Sequence, residues 1–138
     1  MTVLDTNVVS EVMRPAPSAV VMAWLGAQAL ESLAVTAITV AEIQYGLARL
    51  PKGRRRTELE QNFELFLLRG FAGRVLPFDE ACAHVYAEIV SLREQAGRPV
   101  EAFDAMIAAI ARTQKATVAT RDSAGFSGCG VKLTNPFV

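Results

Sequence analysis

Thr2-Val3-Leu4-Asp5-Thr6-Asn7 sets the reading of the whole chain. A short β-leaning run ends on a carboxylate, and a brief helix from Asn7 to Met13 follows before Arg14-Pro15-Ala16-Pro17 stops it. The same order, apolar run and then helix, repeats downstream. Leu33 to Ile38 reads as a buried strand, and Thr39-Val40-Ala41-Glu42 fits an S/T-x-x-E capping box that starts a helix ending at Pro51. Val75 to Phe78 is a third strand, and Asp79 caps a helix that runs to about Ala96 with Gly97 as its C-terminal cap. Ala102 to Lys115 is helical, Thr117 to Thr120 is a fourth strand, and Lys132 to Thr134 is a fifth. Two more helices fill the gaps: one capped by Ser18 and running to about Ala29, and an amphipathic one from Lys52 to Arg69 that can form a hairpin with its predecessor. Strands separated by helices predict an α/β fold, a three-layer arrangement with a central parallel sheet of four to five strands covered by helices on both faces.

The 138 residues, 51% of them hydrophobic, suit a single domain spanning 1–138 and leave little room for a second. Fourteen basic residues balance fourteen acidic ones and the pI is near 6.6, so nucleic-acid binding needs a local patch rather than a global field. Positive mean hydropathy with only 20% charged residues points to an apolar face covered by a twin or a partner. Cys82 and Cys129 have no metal-ligand spacing, and two cysteines make no disulfide framework, so a reducing compartment is expected. The chain opens without a basic stretch leading into an apolar one, and no apolar run is long enough to span a bilayer. A cytoplasmic protein with no membrane association is the expectation.

Four carboxylates sit where apolar segments give way to turns or helices: Asp5, Glu42, Asp104 and Asp122. An open α/β sheet binds ligands beyond the carboxyl ends of its strands, so residues far apart in sequence can meet there. Two carboxylates about 6 Å apart repel by roughly 3 kcal/mol at an effective dielectric of 20. A cation between them removes that penalty, and hard oxygen donors suit a divalent ion of the kind that hydrolyses phosphodiesters. Each acid also has a local explanation. Glu42 occupies the third position of the capping box, Asp104 lies in a first helical turn, and Asp122 in Thr120-Arg121-Asp122-Ser123-Ala124-Gly125 can bond its own backbone. Asp5 is harder to explain away, because a charge directly after an apolar strand is partly buried and an unpaired buried carboxylate is costly. Asp79 after Pro77-Phe78 reads as an ordinary cap and is set aside.

These residues also carry a resemblance. Asp5-Thr6-Asn7, then Thr36 with Thr39-Val40-Ala41-Glu42-Ile43 and Gly46, then Phe103-Asp104-Ala105-Met106-Ile107-Ala108-Ala109-Ile110-Ala111, then Ala119-Thr120-Arg121-Asp122 resemble the PIN domain of VapC-type toxins, in particular their FitB-like branch. The similarity runs from Met1 to Pro136, and its strength lies in four motifs in the right order. The resemblance implies a ribonuclease dependent on Mg2+ or Mn2+, the toxin of a type II toxin–antitoxin module, with Asp5, Glu42, Asp104 and Asp122 as its acidic pocket. Asp5 and Asp104 are expected to contact the ion most directly, with Asn7 and Thr120 as auxiliary residues that hold waters or carboxylates. It further implies an RNA substrate cut to 5′-phosphate and 3′-hydroxyl ends, a cognate antitoxin and a homodimer, with higher assembly on the antitoxin. Where such toxins commonly carry Asp-Phe after the last strand acid, this chain has Gly125-Phe126, so an auxiliary polar contact from that loop is not expected.

Arg112 and Arg121 lie close in sequence to the acids and are candidates for phosphate or partner contact. Arg49, Lys52, Arg54, Arg55 and Arg56 form the only dense basic cluster, read first as a solvated helix start. The sole histidine, His84, falls between Glu80 and Glu88 on a polar helix face and is not expected to take part in catalysis. The Trp24, Phe63, Phe66 and Leu67 stripes read as core before they read as a groove for an antitoxin helix. Two other functions compete. An aspartyl phosphatase of the haloacid-dehalogenase type also starts with Asp after a strand, but its pattern wants a second Asp where this chain has Asn7. A non-catalytic protein-binding module would use the acids as helix caps alone.

Overall fold

Val3 and Leu4 are neighbours in the first strand, β1 (Thr2–Leu4), yet they enter different cores. Successive side chains of an extended chain point to opposite faces, so one strand serves two layers. Val118 and Ala119 of β4 (Thr117–Ala119) divide in the same way. The computed structural model describes residues 1–138. β2 (Leu33–Thr36), β3 (Val75–Leu76) and β5 (Lys132–Thr134) complete a five-stranded sheet of order β3-β2-β1-β4-β5, parallel throughout.

One face packs mainly against α1 (Thr6–Val12), α2 (Ala19–Gly26), α3 (Ala37–Ala48) and α4 (Arg54–Phe71), through Val8, Val9, Val21, Ile43, Leu47 and Phe63. Trp24, Phe66 and Leu67 are half-buried against that core, as their stripes suggest. The other face meets α5 (Glu80–Gln95), α6 (Ala102–Thr113) and the short α7 (Ser123–Phe126). Ala105, Ala108, Ala109 and Ala111 of α6 are buried, and their small side chains let this helix lie close to both α5 and the sheet. Ile107 and Ile110 fill what remains, each contributing about 2 kcal/mol of burial.

The chain lays down β1, β2 and β3 in one direction, then returns past β1 to place β4 and β5 on its other side. That reversal opens a crevice at the carboxyl ends of β1 and β4, the place where such sheets bind ligands.

The predicted α/β architecture is the observed one, with local differences of register. The strand expected from Leu33 to Ile38 ends at Thr36, and the helix begins at Ala37 rather than after Thr39. Thr36 is extended, and its hydroxyl accepts the Thr39 N–H at 3.1 Å, so it caps the helix three residues ahead of the expected capping box. Glu42 is thereby moved out of the first turn and has no capping role. The strand expected from Val75 to Phe78 is cut to two residues, because Pro77 offers no N–H to a ladder. The amphipathic helix starts at Arg54 and continues to Phe71. Gly97 follows α5 with φ of 71°, the left-handed conformation expected of a C-terminal glycine. No helix is long and apolar enough to cross a membrane.

Candidate active site

The last rung between β1 and β4 is the Asp5 N–H donating to the Ala119 carbonyl at 2.9 Å. Beyond it the two chains diverge, and Asp5 and Thr120 face one another in the gap. Asp5 is buried, and each of its oxygens is held: Oδ1 accepts the Thr6 N–H at 2.8 Å and Oδ2 accepts the Thr120 hydroxyl at 2.7 Å. Thr120 is fully buried and also accepts from Asn7 Nδ2 at 3.2 Å and from the Asp122 N–H at 2.9 Å. A hydroxyl has one hydrogen and two lone pairs, so Thr120 is saturated. It ties the acid after β1 to the acid after β4. Asn7 completes the tie, its Oδ1 accepting the Arg121 N–H at 3.3 Å.

Glu42 comes from the second turn of α3 and takes a hydrogen bond from Thr6 Oγ1 to Oε1 at 2.8 Å. Thr39 Oγ1 lies 3.0 Å from Thr6 Oγ1, and because the single Thr6 proton goes to Glu42, Thr39 is the donor. Asp104 sits in the first turn of α6, where Glu101 is the cap and accepts the Asp104 N–H at 3.2 Å. Asp122 does cap α7, with Oδ1 accepting the Gly125 N–H at 2.9 Å. A Cβ at residue 125 would stand 2.3 Å from Asp122 Oδ2, so the departure at Gly125 is what this folded-back carboxylate requires.

All four predicted acids line one cleft of about 490 Å³ together with Thr6, Asn7, Ser10, Glu11, Arg14 and Arg121, and no hydrophobic residue lines it. Their proximity shows in their proton affinities. Burial pushes the Asp5 carboxyl up, the Thr120 and Thr6 hydrogen bonds pull it back, and the charges of Asp122 and Glu101 raise it again. Burial also raises Glu42, opposed by the Thr6 hydroxyl and reinforced by Asp5 and Glu101. Asp104 is pushed up to about 7, first by burial and then by Asp5, Glu101, Asp122 and Glu42. No protein hydrogen bond offsets that rise. Like charges crowded into a half-buried cleft behave this way until a cation joins them.

Other candidates fall elsewhere. Arg112 stands near the C-terminal end of α6, eight residues or about 12 Å along the helix from Asp104. Its Nη2 donates to Glu88 Oε2 at 3.1 Å, and it does not line the cleft, so it is no phosphate contact there. Arg54 and Arg56 pair with Glu58 and Glu60 one helical turn on, the solvated helix start expected of that cluster. His84 is exposed on α5.

Sequence reasoning missed Glu101, Thr6, Thr39, Glu11 and Arg14. Glu101 gave little signal, because glutamate is not a favoured N-cap. Thr6 was in view inside Asp5-Thr6-Asn7, but its link to Glu42 spans 36 residues and only the fold makes it. Arg93 was missed as well. It is buried, and it donates to the carbonyls of Arg98 at 2.6 Å, Gly125 at 3.0 Å and Ser127 at 2.6 Å, joining the segment before α6 to the turn that carries Asp122.

A parallel sheet of this order with acids from β1, α3, α6 and the end of β4 converging at its carboxyl edge defines a PIN fold, and the PIN domain family model matches residues 2–128. The chain belongs to the PIN domain family. It is 48% identical to the plasmid stability protein StbB of Pseudomonas syringae pv. tomato over 99% of both chains. It is 42% identical to the VapC ribonuclease Y4jK of Sinorhizobium fredii over 99% of this chain and 98% of that one. The crystal structure of FitAcB from Neisseria gonorrhoeae superposes with a TM-score of 0.94 at 44% identity, covering 99% of each chain.

Proposed function

We propose that this chain is a metal-dependent ribonuclease and the toxin of a toxin–antitoxin pair. The observation that carries the reading is the cleft itself, where Asp5, Glu42, Asp104 and Asp122 converge with no hydrophobic residue in the lining, and where burial, and then the charges of the neighbouring acids, push Asp104 up to about 7. Asp5 and Asp104 are the residues to hold a divalent ion, Mg2+ or Mn2+, with Glu42 and Asp122 completing the pocket. The donor chemistry fits, being carboxylate and hydroxyl oxygen with no sulfur or imidazole. No three of the acidic, His or Cys side chains are close enough together to hold one ion. Mg2+ needs only one or two carboxylates, with water and phosphate oxygens in its other positions, so Asp5 and Asp104 would be ligands enough.

Bound there, such an ion supplies a polarised water and offsets charge at the phosphorus. The protein's own part is positioning. Thr6 and Thr120 fix the Asp5 carboxylate while leaving each oxygen a lone pair free for the cleft. The Thr39–Thr6 relay holds Glu42, and Asn7 keeps Thr120 and the Arg121 backbone in register.

Capping alone does not account for the cluster. Asp5 and Asp122 each accept a backbone N–H, but Glu42 takes only a side-chain hydroxyl and the Asp104 carboxylate accepts no hydrogen bond from the protein. A phosphatase is disfavoured too, since Asn7 is spent on Thr120 and Arg121 and no lysine lines the cleft. For the antitoxin, a second groove of about 630 Å³ between α1, α3 and α4 adjoins the cleft at Thr6 and Glu42 and offers Met13, Ile43, Leu47 and Leu59 to an apolar segment. A homodimer follows from the family resemblance.

The test is cleavage of structured RNA by the purified chain with Mg2+ or Mn2+, against chelator and against Asp5→Asn. Metal-dependent cutting to 5′-phosphate ends, reduced more than about 100-fold in a folded Asp5→Asn chain, is expected. Equal cutting by the variant, or none with either metal, overturns the reading.

A further inference from the structure

The cleft is not uniformly acidic. Arg14 and Arg121 also line it, and both guanidiniums lie beside the carboxylate of Glu11. Glu11 is buried, and its Oε2 accepts the Ser18 N–H at 2.9 Å, a bond that holds its carboxyl below the usual range and keeps it ionised. Its Oε1 takes Arg14 Nη1 at 3.3 Å and stands 3.8 Å from Arg121 Nη2. One fixed negative charge thus anchors two guanidiniums, leaving an excess positive charge and most of their ten N–H donors unspent. Both side chains are more than half exposed. Arg121 is also oriented from behind, its guanidinium carbon 3.8 Å from the centre of the Phe137 ring, and its backbone N–H is tied to Asn7. A guanidinium packed over an aromatic face keeps its edge donors free for an oxyanion.

We propose that Glu11, Arg14, Arg121 and Phe137 form a cradle for a backbone phosphate of single-stranded RNA, the one next along the strand from the phosphate at the four acids. This rests on the ribonuclease reading. A strand approaching the acids meets net repulsion until cations intervene, and these two arginines are the only fixed cations in the cleft. Glu11 and Phe137 are positioning residues: they act through the guanidiniums and need not touch the RNA.

The probe is a short fluorescein-labelled single-stranded RNA of mixed sequence. Its anisotropy is followed across a salt series with Ca2+, a hard cation that the same oxygen donors accept. Arg14→Ala and Arg121→Ala should each weaken binding about fivefold and flatten the log–log salt slope by about 0.7. Glu11→Gln makes the cleft more positive, so charge alone predicts tighter binding, whereas loss of the anchor predicts binding about threefold weaker. Phe137→Leu, which changes no charge, should weaken binding about twofold and guards against misfolding of the Glu11 variant. The cradle is overturned by unchanged affinity and slope in the double arginine variant, by tighter binding on Glu11→Gln, or by no RNA binding in the unsubstituted chain. Arginine-dependent capture of poly-glutamate with RNA unaffected also overturns it, in favour of an acidic peptide. Metal-dependent cleavage is measured separately. Cutting with no arginine effect sinks the cradle alone, whereas arginine-dependent RNA binding without cutting sinks the nuclease alone.

Discussion

Replacing Asp104 with asparagine is expected to stabilise the folded chain while removing RNA cleavage. In the unfolded chain this carboxyl titrates near the ordinary 3.8, and in the folded chain near 7. Between those values the native state binds more protons, so stability falls as pH rises through the window, and above it the whole penalty is present. At 1.36 kcal/mol per tenfold change in proton affinity the penalty is roughly 4 kcal/mol, and screening of a carboxylate only half buried reduces it to about 2 kcal/mol. Asparagine escapes that cost but gives up a favourable charge in the first turn of α6, about 0.3 to 1 kcal/mol. The net gain at about pH 8 is then roughly 1 kcal/mol, or about 3 °C in Tm for a domain of this size. At about pH 4 the gain should vanish or reverse. Mg2+ should close the gap at the higher pH by stabilising the parent chain more than the variant. Thermal melts of both chains at the two pH values, with Mg2+ and with chelator, test this directly. A gain over the parent chain no larger at the higher pH than at the lower one would refute the claim that crowded carboxylates strain this cleft.

Three further outcomes are expected. Thr120→Val keeps shape but strands Asp5 Oδ2, Asn7 Nδ2 and the Asp122 N–H, so it should cost roughly 2 kcal/mol in denaturant melts, while Thr120→Ser should recover most of it. Arg93→Met leaves the Arg98, Gly125 and Ser127 carbonyls without their donor and should cost roughly 3 kcal/mol or more, with hydrogen exchange rising first in α7 and the segment before α6. Gly125→Ala should expel the Asp122 carboxylate from its cap, weakening metal binding measured by titration calorimetry about tenfold while the Tm falls by only a few degrees.

The layers of this fold were legible because they follow from periodicity. Short apolar runs ending on a polar residue, each followed by a helix, allow little besides a parallel sheet covered on both sides, and Val3 beside Leu4 shows the two-faced burial that results. The register at β2 was not legible. Thr36 and Thr39 are both good caps, and only the pairing of Val35 with Val75 and Thr36 with Leu76 decides where the strand stops. Local chemistry offered two equal answers, and a contact 40 residues away chose between them. The same choice freed Glu42 for the cleft, so a three-residue slip in secondary structure bears directly on function.

The candidate site divides along the same line. Asp5, Glu42, Asp104 and Asp122 could be named because each sits where an apolar segment gives way to a turn or helix, and the family pattern repeats them in order. The groups that hold them could not, since Thr6 to Glu42 and Asn7 to Thr120 are contacts between elements distant in sequence. Capping a helix and lining the cleft are compatible rather than rival. Asp122 uses Oδ1 on its own helix, and Asp5 binds Thr6 through one oxygen and Thr120 through the other, yet both line the cleft. A carboxylate has about four lone-pair sites, so two hydrogen bonds fix its direction without exhausting it. The capping bonds are what keep these acids facing one another, and that restraint sustains the repulsion for which a cation is the remedy.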